Sequence, residues 1–225
     1  MTDLSLRRAT LDDISFVTRA IIEAERSGTP RSMYERVFAL DEAGLAELIT
    51  AMLREDLPGS ELCCEAFLLA VEGDTMVGCI ATWIEGEGGQ PSNMVRASLL
   101  GYAIGPDRWA AARPHLERLA AVDIPRSPGA LQIEAVYVAP GHRGRRITAR
   151  LIEHALLGQR EAGGVEIAQI LSVLGNERSR RAFTHAGFTV ARETRSESPE
   201  LLAIFPGSGR LLWERAIPRA DGVQD

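Results

Sequence analysis

The chain has 225 residues, 45% hydrophobic and 25% charged, an ordinary globular balance with length for one large domain or one domain carrying an insertion. Its net charge of −6 argues against a general nucleic-acid binder, and no apolar run approaches the roughly 20 residues that span a bilayer. All 25 basic residues are arginine, which excludes a phosphate-loop lysine, a Schiff-base lysine and a kinase-type lysine.

Met1 to Ser5 contain an acid and no apolar run, so no secretory leader is expected. Leu4–Ala9 reads as a strand. Thr10, with Asp12 and Asp13 behind it, starts a helix to about Arg26, broken by Ser27-Gly28-Thr29-Pro30. A second helical pattern covers about Tyr34 to Asp56. Glu65–Glu72 and Thr75–Ile84 flank Gly73-Asp74 as a hairpin. Residues 85–130 read as an insertion, a Gly-rich loop and then a helical stretch from Asp107 to Val122 interrupted by Pro114. It is open whether this is a subdomain or a lid.

Leu131–Val138 is the next strand, followed by a loop from Pro140 to Gly144 and a helix from Arg145 to about Gln159. Val165–Leu174 is an apolar strand. Glu177–His185 is a short helix capped by Asn176 and closed by Gly187. Phe188–Thr194 and Arg210–Ile217 are the last strands, joined by a Pro/Gly/Ser-rich loop. Strands and helices in this order make a mixed α/β (α+β) class, one domain over 1–225.

Charge is uneven: residues 1–90 hold 17 acids and 7 arginines, residues 91–225 hold 14 acids and 18 arginines. Arginine and glycine cluster where the helix after Val138 begins. Its first turn offers unpaired N–H groups and a positive dipole end, and Arg143, Arg145, Arg146 and Arg150 add planar donor forks. This is an anion-binding turn by its residue types. Alternation along the strand puts Leu131, Ile133, Ala135 and Tyr137 on one face, and Gln132, Glu134, Val136 and Val138 on the other. Cys63, Cys64 and Cys79 form neither a disulfide framework nor a ligand set, and the four histidines show no metal spacing. A reducing, cytoplasmic home and no metal are expected. No G-x-S-x-G nucleophile elbow is present.

The segment V-Y-V-A-P-G-H-R-G-R-R-I-T resembles the cofactor turn of the GNAT superfamily of N-acyltransferases, and N-E-R-S-R-R-A-F-T-H-A-G-F resembles its second motif. From the start of the first motif to the end of the second, residues 136–188, is about a quarter of the chain, and the element order extends the likeness over nearly all of it except the insertion. The resemblance implies a central mixed sheet flanked by helices, with the insertion before the fourth strand. It implies acetyl-CoA or another acyl-CoA as cosubstrate. The cofactor arm would pair with backbone at Val136, Tyr137 and Val138. Its diphosphate would sit on Arg143, Gly144, Arg145, Arg146, Ile147 and Thr148, with Asn176, Ser179 and Phe183 nearby. Arg146 and Thr148 replace residues that are usually glycine or alanine, and Phe183 replaces the tyrosine that commonly protonates the leaving thiolate.

Glu134 stands where such enzymes often carry a general base, and Gln132, at the neighbouring base position, cannot accept a proton. The acceptor would be a small-molecule or peptide amine bound near Ser27–Arg36 and Arg195–Gly209. The acidic N-terminal part favours a cationic one. The expected activity is direct acyl transfer to a primary amine in a ternary complex. The competing reading is a non-catalytic acyl-CoA sensor or scaffold, kept open by Phe183. A homodimer stays open; neither nucleic acid nor membrane is an expected partner.

Overall fold

The computed structural model describes residues 4–218. The residues read for a leader before position 4, and the tail of the expected domain after 218, lie outside the described residues. Seven strands, β1 (Leu4–Arg8), β2 (Phe67–Glu72), β3 (Thr75–Ile84), β4 (Leu131–Val138), β5 (Ile167–Val173), β6 (Thr189–Arg195) and β7 (Gly209–Ala216), form one sheet in the order β1-β2-β3-β4-β5-β7-β6. Only β4 and β5 pair in parallel; the other neighbours are antiparallel. The described helices are α1 (Ile14–Arg26), α2 (Met33–Val37), α3 (Glu42–Glu55), α4 (Ser92–Ile104), α5 (Pro106–Leu119), α6 (Ile147–Ala162), α7 (Glu177–His185) and α8 (Pro199–Ile204).

Two apolar clusters cover the two sheet faces. One joins α1, α3 and the 92–122 segment to Phe67, Leu69, Cys79 and Tyr137. The other joins α6 and α7 to Leu68, Ile80, Ile133, Ile170 and Trp213. α1 begins with a short 3₁₀ turn in which the Thr10 N–H donates to Asp13 at 2.9 Å, while Arg7 grips that carboxylate at 2.7 and 2.8 Å. The helix expected over 34–56 is two helices. The chain turns at Ala39, whose φ is +50°, and Asp41 recaps it by accepting from the Gly44 N–H at 2.8 Å.

The 85–130 segment is neither a separate subdomain nor a detached lid. Leu99, Leu100, Ala112, Leu119 and Val122 are buried in the same cluster as α1 and α3. Pro114 lies inside α5 without ending it. Two helices went unpredicted, α4 and α8. Among the described residues no helix is long and apolar enough to cross a membrane.

Candidate active site

β4 departs from regular alternation at one residue. Ala135 has φ +48°, and the register against β3 shifts so that Ala81 faces Glu134 while Cys79 faces Tyr137. This is a β-bulge, and it inverts the phase of the strand beyond it. Val136 and Val138 therefore pack with the α6 cluster beside Ile133, while Ala135 and Tyr137 join the α1 cluster. The uniform alternation expected from sequence is corrected here: Tyr137 lies on the α1 side, its ring edge-on to Phe16 at 6.0 Å.

Pairing of β4 with β5 covers only Leu131 with Ala168 and Gln132 with Gln169. At that vertex Gln132 donates to Gln169 at 3.0 Å. Gln169 also accepts the Ser127 N–H at 2.9 Å and donates to Glu214 at 2.7 Å. Past the vertex the strands separate, and the space between them is a cleft open to solvent. Its walls come from α1 (Ile21, Ala24, Glu25), β4 (Glu134, Ala135, Val136), β5 (Ile170 to Val173), α7 (Asn176, Ser179, Phe183) and the chain around Phe205 to Arg210. Ser27, Met33, Phe205 and Pro206 bring the two expected acceptor segments to the same cleft.

The turn before α6, expected from sequence to bind an anion, carries two left-handed residues. Gly144 has φ +79°, and Arg146, the residue before α6, has φ +60° and makes no side-chain cap. The N–H groups at the start of α6 therefore stay uncapped by any side chain, at the positive end of a 16-residue helix. Arg146 thus holds a left-handed conformation that glycine adopts most readily. Gly78 allows the approach of α6: a Cβ there would meet the Tyr137 carbonyl at 2.9 Å and Ile147 at 3.2 Å. Ile147 is buried and faces the core, so it offers the site its backbone alone, whereas Thr148 is half-buried.

Two of the four arginines are committed elsewhere. Arg145 holds Glu72, with one contact at 3.0 Å, and the His142 ring at 2.9 Å, while Arg150 donates to the Leu4 carbonyl at 3.0 Å. Arg143 reaches back to the Val138 carbonyl through Nε at 3.1 Å and is exposed, as is Arg146. Arg143 and Arg146 are therefore the arginines left to meet an anion on this turn.

Asn176 caps α7 by accepting the Ser179 N–H at 3.2 Å, and both line the cleft. Phe183 is buried against Trp213, ring centroids 6.0 Å apart, and within a cluster that includes Ala182 and Ala186. Tyr34, Tyr102 and Tyr137 all lie outside the cleft lining. Tyr34 is buried and its hydroxyl pKa is driven up by desolvation. The thiols of Cys63, Cys64 and Cys79 are buried and pushed up by desolvation, Cys63 and Cys64 to about 11. None lines the cleft.

Glu134 opens on the cleft as expected, but its Oε1 accepts two hydrogen bonds from Arg126, the Nε one at 3.1 Å. Arg126 is itself buried and rests on the Trp83 ring at 5.5 Å. A second buried pair, Glu61 with Arg96 at 2.8 Å, closes another wall. Burial pushes the Glu61 carboxyl up, but the charges of Arg96 and then Arg126 overcome that and hold it below the usual carboxylate range. Glu25, which sequence reasoning did not single out, has neither a hydrogen bond nor an ion pair among the described residues. Desolvation pushes its carboxyl up to about 7, against the pull of Arg96 and with help from Glu61 and Glu134.

A bulged β4, a splayed β4–β5 pair and an uncapped turn into α6 thus follow one another along the chain. The chain matches the model of the acetyltransferase (GNAT) family over residues 35–188, more than half its length, and it belongs to that family. An N-acetyltransferase from Staphylococcus aureus Mu50 is similar in fold, with a TM-score of 0.63 and 14% identity, covering 94% of this chain and 100% of that one. A Drosophila melanogaster polyamine N-acetyltransferase that forms N-acetylagmatine gives a TM-score of 0.55 and 14% identity, over 95% and 100% of the two chains. The loading GNATL domain of CurA from Lyngbya majuscula gives 0.54 and 14%, over 96% and 98%. At these identities the likeness is one of fold. Among curated proteins nothing matches the chain.

Proposed function

We propose that this chain moves an acetyl or short acyl group from acyl-CoA to a primary amine, by direct attack within a ternary complex in the β4–β5 cleft. The observation that carries the reading is a cleft that joins an unpaired strand edge of β4 with a carboxylate free of any partner, on the strand that runs on through Gly144 into the uncapped start of α6. Acyl-CoA would supply the activated thioester carbonyl. The β4 edge at Val136, Tyr137 and Val138 has backbone groups to pair with the extended arm and to polarise that carbonyl. Gly144 to Thr148 offers N–H donors for the diphosphate, with Arg143 and Arg146 as charges at its rim and Arg145 held back by Glu72.

The attacking amine must lose a proton, since amines of this type have a pKa near ~10. The geometry favours Glu25 over Glu134 as the acceptor of that proton. Glu134 has one oxygen tied to Arg126 by two hydrogen bonds, whereas Glu25 is unpaired and its carboxyl is poised near 7. Glu134 then keeps Arg126 in place and adds negative charge beside the amine. Phe183 packs against Trp213 and gives the departing thiolate no proton. Water supplies it, and a thiol of pKa about 8.5 leaves without strong acid help.

Release of CoA thiol from acetyl-CoA, followed with a panel of primary amines, tests the function. The expected result is amine-dependent release, with kcat/KM rising through pH 7 as Glu25 ionises. Glu25→Gln should lower the rate ~10²–10⁴-fold, the usual range for general-base catalysis. Tight CoA binding with no release for any amine would return the chain to the sensor reading.

A further inference from the structure

The charges lining the cleft divide into closed and open groups. Glu61 is closed by Arg96 and Glu134 by Arg126. Two other charged lining residues have no ion-pair partner among the described residues, one of each sign: Glu25 from the end of α1 and Arg210 from the start of β7. Arg210 lies with its guanidinium over the Phe205 ring at 5.1 Å, and its buried Nε has no hydrogen-bond partner. Its side chain forms no ion pair among the described residues, although the charges of Asp123, Glu25 and Glu134 act on it from a distance. A buried donor without a partner is unfavourable, the more so when it is charged. Glu61 Oε2 is likewise buried without a partner.

We propose that the acceptor is a zwitterionic amine of the amino-acid class, with its ammonium at Glu25 and its carboxylate on the guanidinium of Arg210. This rests on the transferase reading above and narrows it. A carboxylate matches the planar fork of arginine and satisfies the orphaned Nε. The ring of Phe205 beneath the guanidinium helps hold it in place. A polyamine matches the cleft poorly, because a second ammonium would be forced toward Arg210 or Arg96. The acidic balance of residues 1–90, which favours a cationic acceptor when read from sequence, is offset in the cleft by arginines from α4, the 123–130 segment and β7.

The test compares matched probes on the intact protein: each proteinogenic amino acid, its carboxamide and its decarboxylated amine, together with agmatine and spermidine. At least one amino acid should exceed both of its uncharged-end partners by ~10²-fold or more in kcat/KM, mainly through KM. Arg210→Gln should collapse that ratio toward unity, and Arg210→Lys should restore part of it. Equal or better use of the decarboxylated partners or of the diamines by wild type overturns the proposal, with no variant needed. Should no amine turn over, calorimetry of the same probes on the protein saturated with CoA decides. Binding that requires both ammonium and carboxylate upholds the zwitterion site while the transferase reading fails. Absence of such binding overturns both.

Discussion

Glu25 sits four residues beyond Ile21 on the inward stripe of α1, in line with Ile14, Val17 and Thr18, all of them buried. Burial lifts its carboxyl from an ordinary 4.5 to about 7, so the folded protein binds the proton more tightly than the unfolded chain. Stability linked to this group is full below about pH 4.5 and is lost as pH rises through 7. Glu25→Gln should remove that loss, leaving the variant more stable than wild type at pH 8 by on the order of 2 kcal/mol. Urea melts at pH 5 and pH 8 measure it, and an unchanged pH dependence would show that the carboxyl is solvated. Glu134→Gln should behave oppositely. It strands the buried Arg126 and should cost about 3–5 kcal/mol, much of it recovered when Arg126→Met is added. Additive effects in that double-mutant cycle would deny the pairing. Sequence made Glu134 legible because it lies in a strand with a recognisable neighbour motif. Glu25 carried no motif, and its one signal was an acid at an apolar position of the helix period. Arg126, Arg96 and Arg210 were illegible, since their partners lie 8 to more than 30 residues away or in no local pattern at all.

The element that makes the cleft is β4, and its bulge depends on a single left-handed residue. A non-glycine residue at φ +48° costs roughly 1–2 kcal/mol, and a β-branched one fits there worst. Ala135→Val should therefore destabilise the fold by more than 1 kcal/mol and weaken CoA binding, while Ala135→Gly keeps both. Thermal melts with and without CoA check this; equal behaviour of Val and Gly would mean that the bulge does not set the strand. The strand itself was readable from its apolar run. Its phase was not, because the shift arises where Ile80 of β3 lies between the partners of Glu134 and Tyr137, and pairing across strands is invisible to a single segment. α8 had signals that composition obscured: Ser198 caps it and Pro199 opens it, inside a stretch otherwise rich in loop residues. α4 lacked even that, for it buries only Ser92, Leu99 and Leu100. The turn into α6 was legible because a strand, a glycine and a helix start lie within about ten residues.

At the scale of the whole molecule, the two halves of the cleft differ in origin. The part proposed to hold the cofactor is one continuous strand, turn and helix, so it can be read along the chain. The part proposed to hold the acceptor gathers α1, the 85–130 insertion and the β7 start, and exists only once the sheet has formed. The insertion completes the core over α1 and α3 and delivers Arg96 and Arg126 to the site, so it cannot be removed without exposing both. The split between β4 and β5, with the first turn of α6, is proposed to hold acyl-CoA. Amide hydrogen exchange across the whole chain, with and without saturating CoA, tests it most directly. Protection should fall mainly on Val136–Val138 and Gly144–Ala149, with smaller effects near Asn176. Protection centred elsewhere, or none in protein that is demonstrably folded, would contradict it.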